Sequence, residues 1–208
     1  MWLDYLNVQN FHGFKTLKVL ANSESMTTSI FEKPVFVESE RLFTADDLLT
    51  MSSRGRFELT EGRLIEMSPP GSEHGLIAFS ISLAIGNYVK RKKLGKVFAA
   101  ETGFRLSRNP DTVRAPDVAF VSSARVPSPL PKGYMDIAPD LVVEVVSPSD
   151  DADDMQLKIK EWLEAGAKMV CYVYPSSRQV MVYRSLRDVL MGDDVLPDFS
   201  LPVKEIFE

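Results

Sequence analysis

Hydrophobic positions along the chain fall into short runs separated by turn residues. The densest run, Leu141 to Val146 (LVVEVV), is aliphatic apart from one acid and reads as a strand buried on both faces. Ser147-Pro148-Ser149-Asp150 breaks it, because proline cannot donate to a ladder and serine and aspartate favour turns. A helix is predicted over roughly Ala152 to Ala165, with Met155, Ile159, Trp162, Leu163 and Ala165 on its apolar side. Asp151, Asp153 and Asp154 crowd its start, where negative charge suits the helix dipole, and Gly166 stands where a helix ends. Upstream, Thr44 is placed to cap a short helix. Phe57–Thr60 and Arg63–Met67 form a hairpin turning through Glu61-Gly62. After Pro69-Pro70-Gly71-Ser72, a long helix from about Glu73 to Lys93 shows an apolar face of Leu76, Ile77, Ser80, Ile81, Ala84, Ile85 and Tyr88. Lys96–Leu106 reads as one strand with a bulge near Gly103, and Val118–Val121 as a buried strand. Ser122–Ala138 is a proline-rich loop carrying Gly133 and Tyr134, long enough to suggest function. Met169–Tyr174 and Gln179–Arg184 are predicted strands, and Phe199–Phe207 a short terminal segment ending in a helical turn.

The order of helix, hairpin, long helix, strands, helix and hairpin predicts an α/β fold with a mixed central sheet. The length of 208 residues fits one domain, expected over 41–208. Met1 to Ser25 lacks a secretory pattern, Met26 resembles a second start, and residues 1–40 are expected to be an N-terminal extension, poorly packed. The single cysteine, Cys171, cannot form an internal disulfide and fits a core thiol in a reducing compartment such as the cytoplasm. Two histidines and one cysteine exclude a Cys/His zinc cluster. No apolar run reaches membrane-spanning length. The net charge of −5 argues against broad nonspecific affinity for nucleic acid.

Candidate chemistry centres on Glu144. A carboxylate inside an apolar strand needs a cation, a proton or a metal ion beside it. Lys158 lies on the half-buried row of the following helix and is a candidate partner; the alternative is that it snorkels past the core edge. Glu101 and Asp117 are expected on neighbouring strands. Three oxygen ligands at one sheet edge suit a hard divalent cation such as Mg²⁺ or Mn²⁺, which can polarise a phosphoryl oxygen and activate water. A lysine nearby can stabilise developing negative charge.

These residues carry a resemblance. Pro116-Asp117, with Glu144 following 27 positions later in Asp-Leu-Val-Val-Glu-Val-Val-Ser-Pro-Ser, resembles the PD-(D/E)XK nuclease pattern. More narrowly, the chain resembles the Uma-two family of restriction-endonuclease-like proteins. The matching pieces are Phe57-Glu58-Leu59 with Gly62, Ser68-Pro69-Pro70 with His74, Glu101-Thr102-Gly103, Arg114 to Val121, the Glu144 stretch, and Lys158 with Trp162 and Gly166. Val146 stands where the general pattern has lysine; the resembling family supplies that lysine from the next helix, at the spacing of Lys158, Trp162 and Gly166. The resemblance implies a restriction-endonuclease-like core, a metal-dependent endonuclease acting on DNA, and a homodimer. It implies that Asp117, Glu144 and Val145 bind the metal, that Lys158 is the migrated lysine and that Glu101 is a further catalytic acid. Glu58 and His74 are carried over as supporting residues. Two other functions fit the same residues: a catalytically inactive nuclease-fold module that binds nucleic acid or a protein, and a hydrolase of another phosphate ester.

Overall fold

The computed structural model describes residues 35–36, 41–51, 55–186, 189–191, 195 and 198–207. They belong to one compact unit, Phe31–Glu208. The expected extension, 1–40, lies outside the described residues except for Val35 and Phe36.

Two five-stranded sheets carry the fold. The first runs β1-β3-β2-β6-β5, comprising β1 (Val35–Phe36), β2 (Phe57–Thr60), β3 (Arg63–Glu66), β5 (Phe104–Ser107) and β6 (Thr112–Arg114). The second runs β10-β9-β8-β7-β4, comprising β4 (Gly95–Ala99), β7 (Val118–Ser122), β8 (Leu141–Val145), β9 (Met169–Tyr174) and β10 (Gln179–Tyr183). Its ladders are antiparallel except β8 with β9, which is parallel. That parallel pair requires a crossover, and α3 (Ala152–Glu164) supplies it. The result is the mixed α/β, restriction-endonuclease-like architecture expected. Helix α1 (Ala45–Thr50) packs on the first sheet, and α2 (Ser72–Lys92) crosses β4, β7 and β8. The strands β11 (Val189–Met191) and β12 (Ser200–Pro202) pair beside a final 3₁₀ turn. No helix among the described residues is long and apolar enough to cross a membrane.

Local chemistry explains the elements. Thr44 and Asp47 form a reciprocal capping box on α1. Glu61 and Gly62 both take positive φ, as a tight two-residue hairpin turn requires. A Cβ on Gly62 would stand 2.8 Å from Leu42, so the turn also needs the missing side chain. Gly166 has φ +103 just beyond α3.

Three expectations are corrected. The first sheet is larger than the expected hairpin, because β1, β5 and β6 join it; Thr112–Arg114 is too short to be seen as a strand by periodicity. The expected strand Lys96–Leu106 is broken: Glu101 takes φ 69, and β4 and β5 enter different sheets. Helix α2 is rotated from the face read in the sequence. Ala78 and Val89 are buried and Ile77, Ile81 and Ile85 half-buried, whereas Leu76, Phe79, Leu83 and Tyr88 are exposed. The helix is apolar on two sides, so its contacts with the sheet chose between them.

The main core lies between α3 and the second sheet. Trp162, Ile159, Val142, Val170, Tyr172 and Phe104 are essentially sealed from solvent. Phe104 meets Trp162 edge to face, with centroids 6.3 Å apart. Trp162→Ala should lower stability by about 3–5 kcal/mol. Urea denaturation of the two proteins checks this, and a loss under about 1 kcal/mol would mean that the core is not organised around this ring.

Candidate active site

The site forms where β7 begins and β8 ends. These strands are antiparallel neighbours, so Asp117, one residue ahead of β7, comes beside Val145 at the end of β8. The Val145 N–H donates to Asp117 Oδ2 at 2.7 Å. His74, in the first turn of α2, places Nε2 3.2 Å from the same oxygen. Asp117 Oδ2 is therefore held by two groups, and its orientation is fixed. Hydrogen bonding to Asp117 raises the His74 pKa; burial opposes this, and the Asp117 charge and the Val145 backbone reinforce it.

Glu144 projects from β8 toward α3, where the Trp162 Nε1–H donates to Oε1 at 3.2 Å. Burial pushes its pKa up to about 7; Lys158 draws it down, while Asp117 and Glu58 add to the rise. A carboxyl so placed ionises more readily at neutral pH when further positive charge approaches.

Lys158 projects from α3, and its Nζ lies 3.2 Å from Glu58 Oε2. Burial opposes its charge, but Glu58 and Glu144 outweigh that effect and raise its pKa. Glu58, on β2, is only 3% exposed. Its Oε2 also accepts from Arg114 Nη1 at 2.7 Å, and its Oε1 accepts the Ala115 N–H at 3.1 Å. Arg114 Nε in turn donates to Glu161 Oε2 at 2.6 Å. Burial alone would raise the Glu58 pKa, yet Lys158 and Arg114 bring it down to about 2.

Asp117, Glu144, Val145, His74 and Lys158 line one cavity of about 390 Å³, along with Arg56 and Asp150. Glu58 reaches this cavity through Lys158. Glu101 does not line it, contrary to the expectation of three acids on neighbouring strands. It sits in the turn between β4 and β5, 66% exposed, with Oε1 3.0 Å from Arg56 Nε. Sequence reasoning passed over two contributors. Arg114 was seen only as part of a motif, and Arg56 carried no signal beyond its charge.

Among the described residues, no three His, Cys, Asp or Glu side chains converge to hold an ion by themselves. The donors present nevertheless suit a hard cation. Asp117 and Glu144 offer oxygens, and burial makes the negative charge on Glu144 costly without one. In an extended strand the N–H and C=O of one residue point the same way. The Val145 carbonyl thus shares the side on which its N–H meets Asp117. Two carboxylates, a carbonyl and water form a set that Mg²⁺ accepts, since it keeps much of its hydration.

The fold and this cavity define a restriction-endonuclease-like α/β protein. Residues 45–204 match the Uma2 family, described as "Putative restriction endonuclease", and the chain belongs to that family. It is also similar to a solved structure from Anabaena variabilis ATCC 29413, described as "a putative nuclease belonging to DUF820". The identity is 22%, the TM-score 0.61, and the match covers 79% of this chain and 97% of that one. At that identity the likeness concerns the fold. No curated protein matches the chain.

The Glu58 network sets a pH dependence. A folded-state pKa of about 2 against an ordinary 4.5 gives stability that is present above pH 4.5 and lost as pH falls through about 2. Glu58→Gln should be less stable than wild type by about 3–5 kcal/mol at neutral pH, because it leaves buried cations short of a partner. Urea melts at stepped pH should show that gap closing as the wild-type carboxylate protonates. A gap independent of pH would contradict the assignment.

Proposed function

We propose that the protein is a metal-dependent endonuclease that hydrolyses DNA phosphodiester bonds in the Asp117–Glu144–Lys158 cavity. The observation that carries this reading is the meeting of two carboxylates and a charged lysine, from β7, β8 and α3, in one open cavity. Bound at Asp117, Glu144 and the Val145 carbonyl, Mg²⁺ or Mn²⁺ would polarise the phosphate and lower the pKa of a water molecule. The rest is the work of the chain. Asp117 is oriented by the Val145 N–H and His74, so it needs no reorganisation to act as a ligand. Trp162 fixes one oxygen of Glu144 and leaves the other available. Lys158 is kept protonated by Glu58 and Glu144, and it presents positive charge where the phosphate gains negative charge in the transition state. Arg114 shares Glu58 Oε2 with Lys158, so the ammonium can turn toward the phosphate without stranding a bare buried carboxylate.

The alternative is a catalytically inactive module binding nucleic acid or a protein. The net charge of −5 and the several acids around the cavity favour it. A homodimer in the cytoplasm completes the proposal. Support comes from the apolar Leu76, Phe79 and Leu83 exposed along α2 and from the lone thiol of Cys171.

Cleavage of plasmid and of single-stranded circular DNA with Mg²⁺ or Mn²⁺ is the test. Wild type should nick or linearise DNA only with metal, and Asp117→Ala should lose at least about a hundredfold in rate. Equal rates in both proteins would place the activity elsewhere or in a contaminant. Inactivity of both would favour the binding module. Lys158→Ala should abolish cleavage at a cost of only about 1–3 kcal/mol in stability, because Arg114 and the Ala115 N–H still satisfy Glu58. Collapse of its thermal unfolding temperature would instead make Lys158 a structural partner of the acids.

A further inference from the structure

The Glu101-Thr102-Gly103 motif and the loop carrying Tyr134 have no part in the chemistry above, yet they adjoin it. The catalytic cavity shares walls with other hollows, two of which lead away from it in a row toward the Tyr134 loop. Arg56, Met67 and Ala115 line both it and a second hollow of about 170 Å³. Glu101 and Tyr134 line both the second and a third of about 270 Å³. The third hollow has largely apolar walls, including Phe98 and Leu130, and the second sets Phe57 and Leu48 beside Arg56 and Glu101. Among the acids of these linings (Glu66, Asp117, Glu144 and Asp150 in the first, Glu58 in the second, Glu101 between the second and third), three cations mark points a phosphate backbone can pass: Lys158 in the first hollow, Arg56 between the first and second, and Lys132 on the third.

Tyr134 is seated by the backbone beneath it. A Cβ on Gly103 would stand 2.3 Å from Tyr134 Cδ1, so the ring fits only because residue 103 is glycine. The loop is tied there by Met135 N–H to the Gly103 carbonyl, at 3.3 Å, and Arg105 N–H to the Met135 carbonyl, at 2.8 Å. Arg56 is held by Glu101, but both side chains are well exposed, at 39% and 66%. A pair so solvated is weak, and Arg56 can exchange the carboxylate for a phosphate at little cost.

We propose that these hollows form a subsite for unpaired nucleotides beside the cut, with a base against Tyr134 and the backbone passing Arg56 and Lys132, so that the substrate is single-stranded DNA. This rests on the reading of the first cavity as the site of DNA hydrolysis. Aromatic and apolar walls offer stacking to bases that are free, and bases inside a duplex are not. A chain of net charge −5 also tolerates the lower charge density of a single strand better than that of a duplex.

The test measures binding by fluorescence anisotropy in EDTA, where no cleavage confuses it. The probes are a short labelled oligo(dT) and a duplex of the same length, at one fixed salt concentration. The single strand should bind more tightly than the duplex. Tyr134→Ala should weaken single-strand binding about 5- to 150-fold, the range for loss of one stacked base. Tyr134→Phe should retain it, and Gly103→Ala should weaken it by displacing a ring that is still present. A second measurement needs no variant: oligonucleotide carrying 5-iodouracil, photocrosslinked to wild type, should attach at Tyr134. Preference for duplex, or crosslinks that avoid the Tyr134 loop, would overturn the subsite. So would full affinity in a folded Tyr134→Ala. Metal-dependent cleavage of single-stranded DNA, measured beside the plasmid, separates the two readings. Binding at Tyr134 without any metal-dependent cleavage would leave the subsite and remove the nuclease, whereas metal-dependent cleavage with no role for Tyr134 would do the reverse.

Discussion

Everything around the cavity depends on one buried carboxylate. Glu58 has three contacts that satisfy its charge: the Arg114 guanidinium, the Lys158 ammonium and the Ala115 N–H; Arg114 in turn donates to Glu161. These come from β2, β6 and α3, so the network binds the first sheet to the crossover helix of the second. Removing such a charge from water is costly, and the guanidinium, ammonium and N–H gathered on it offset that cost. The network therefore specifies how the two sheets and α3 fit together. It also fixes where Lys158 stands, because the helix that carries Lys158 carries Glu161 as well.

The two acids beside it contrast with Glu58. Glu58 is surrounded by positive charge and stays ionised far below neutrality, whereas half-buried Glu144 has its pKa pushed up to about 7 by desolvation, with Lys158 drawing it down and Asp117 and Glu58 adding to the rise. One group is fully compensated by the protein; the other is left short of positive charge. A site that leaves a carboxyl in this state is suited to taking a cation from solution. Asp117 is poised differently again, its direction set by a backbone amide and an imidazole. Three carboxylates within one neighbourhood thus have three roles, set by their surroundings and not by residue type.

Much of this was legible in the chain. The run Leu141–Val146 with a single acid announced both a buried strand and an unusual carboxylate. The spacing of Lys158 within the apolar row of α3 pointed it toward the same side of the sheet. Caps and turns were readable at Thr44, Glu61-Gly62 and Gly166 because each is local backbone chemistry. Glu101 was not readable. It lies among β-forming residues, and only the departure of β4 and β5 into different sheets turns it away from Asp117 and toward Arg56. The face of α2 was equally hidden, since apolar residues occupy two sides of it and periodicity cannot tell which side the sheet will cover.

By itself the sequence determined most of the strands and helices, the caps and turns that end them, and which residues carry chemistry worth placing, because those properties follow from neighbours within a few positions; the break at Glu101 and the short strand β6 did not follow from it. The tertiary structure decided which of those residues meet. Arg114 and Glu58 lie 56 positions apart, and Ala115 and Glu58 57, yet they share a few ångströms of protein interior. That choice depends on how whole elements pack, on which face of α2 is covered, and on which partners a buried charge finds when water has been excluded.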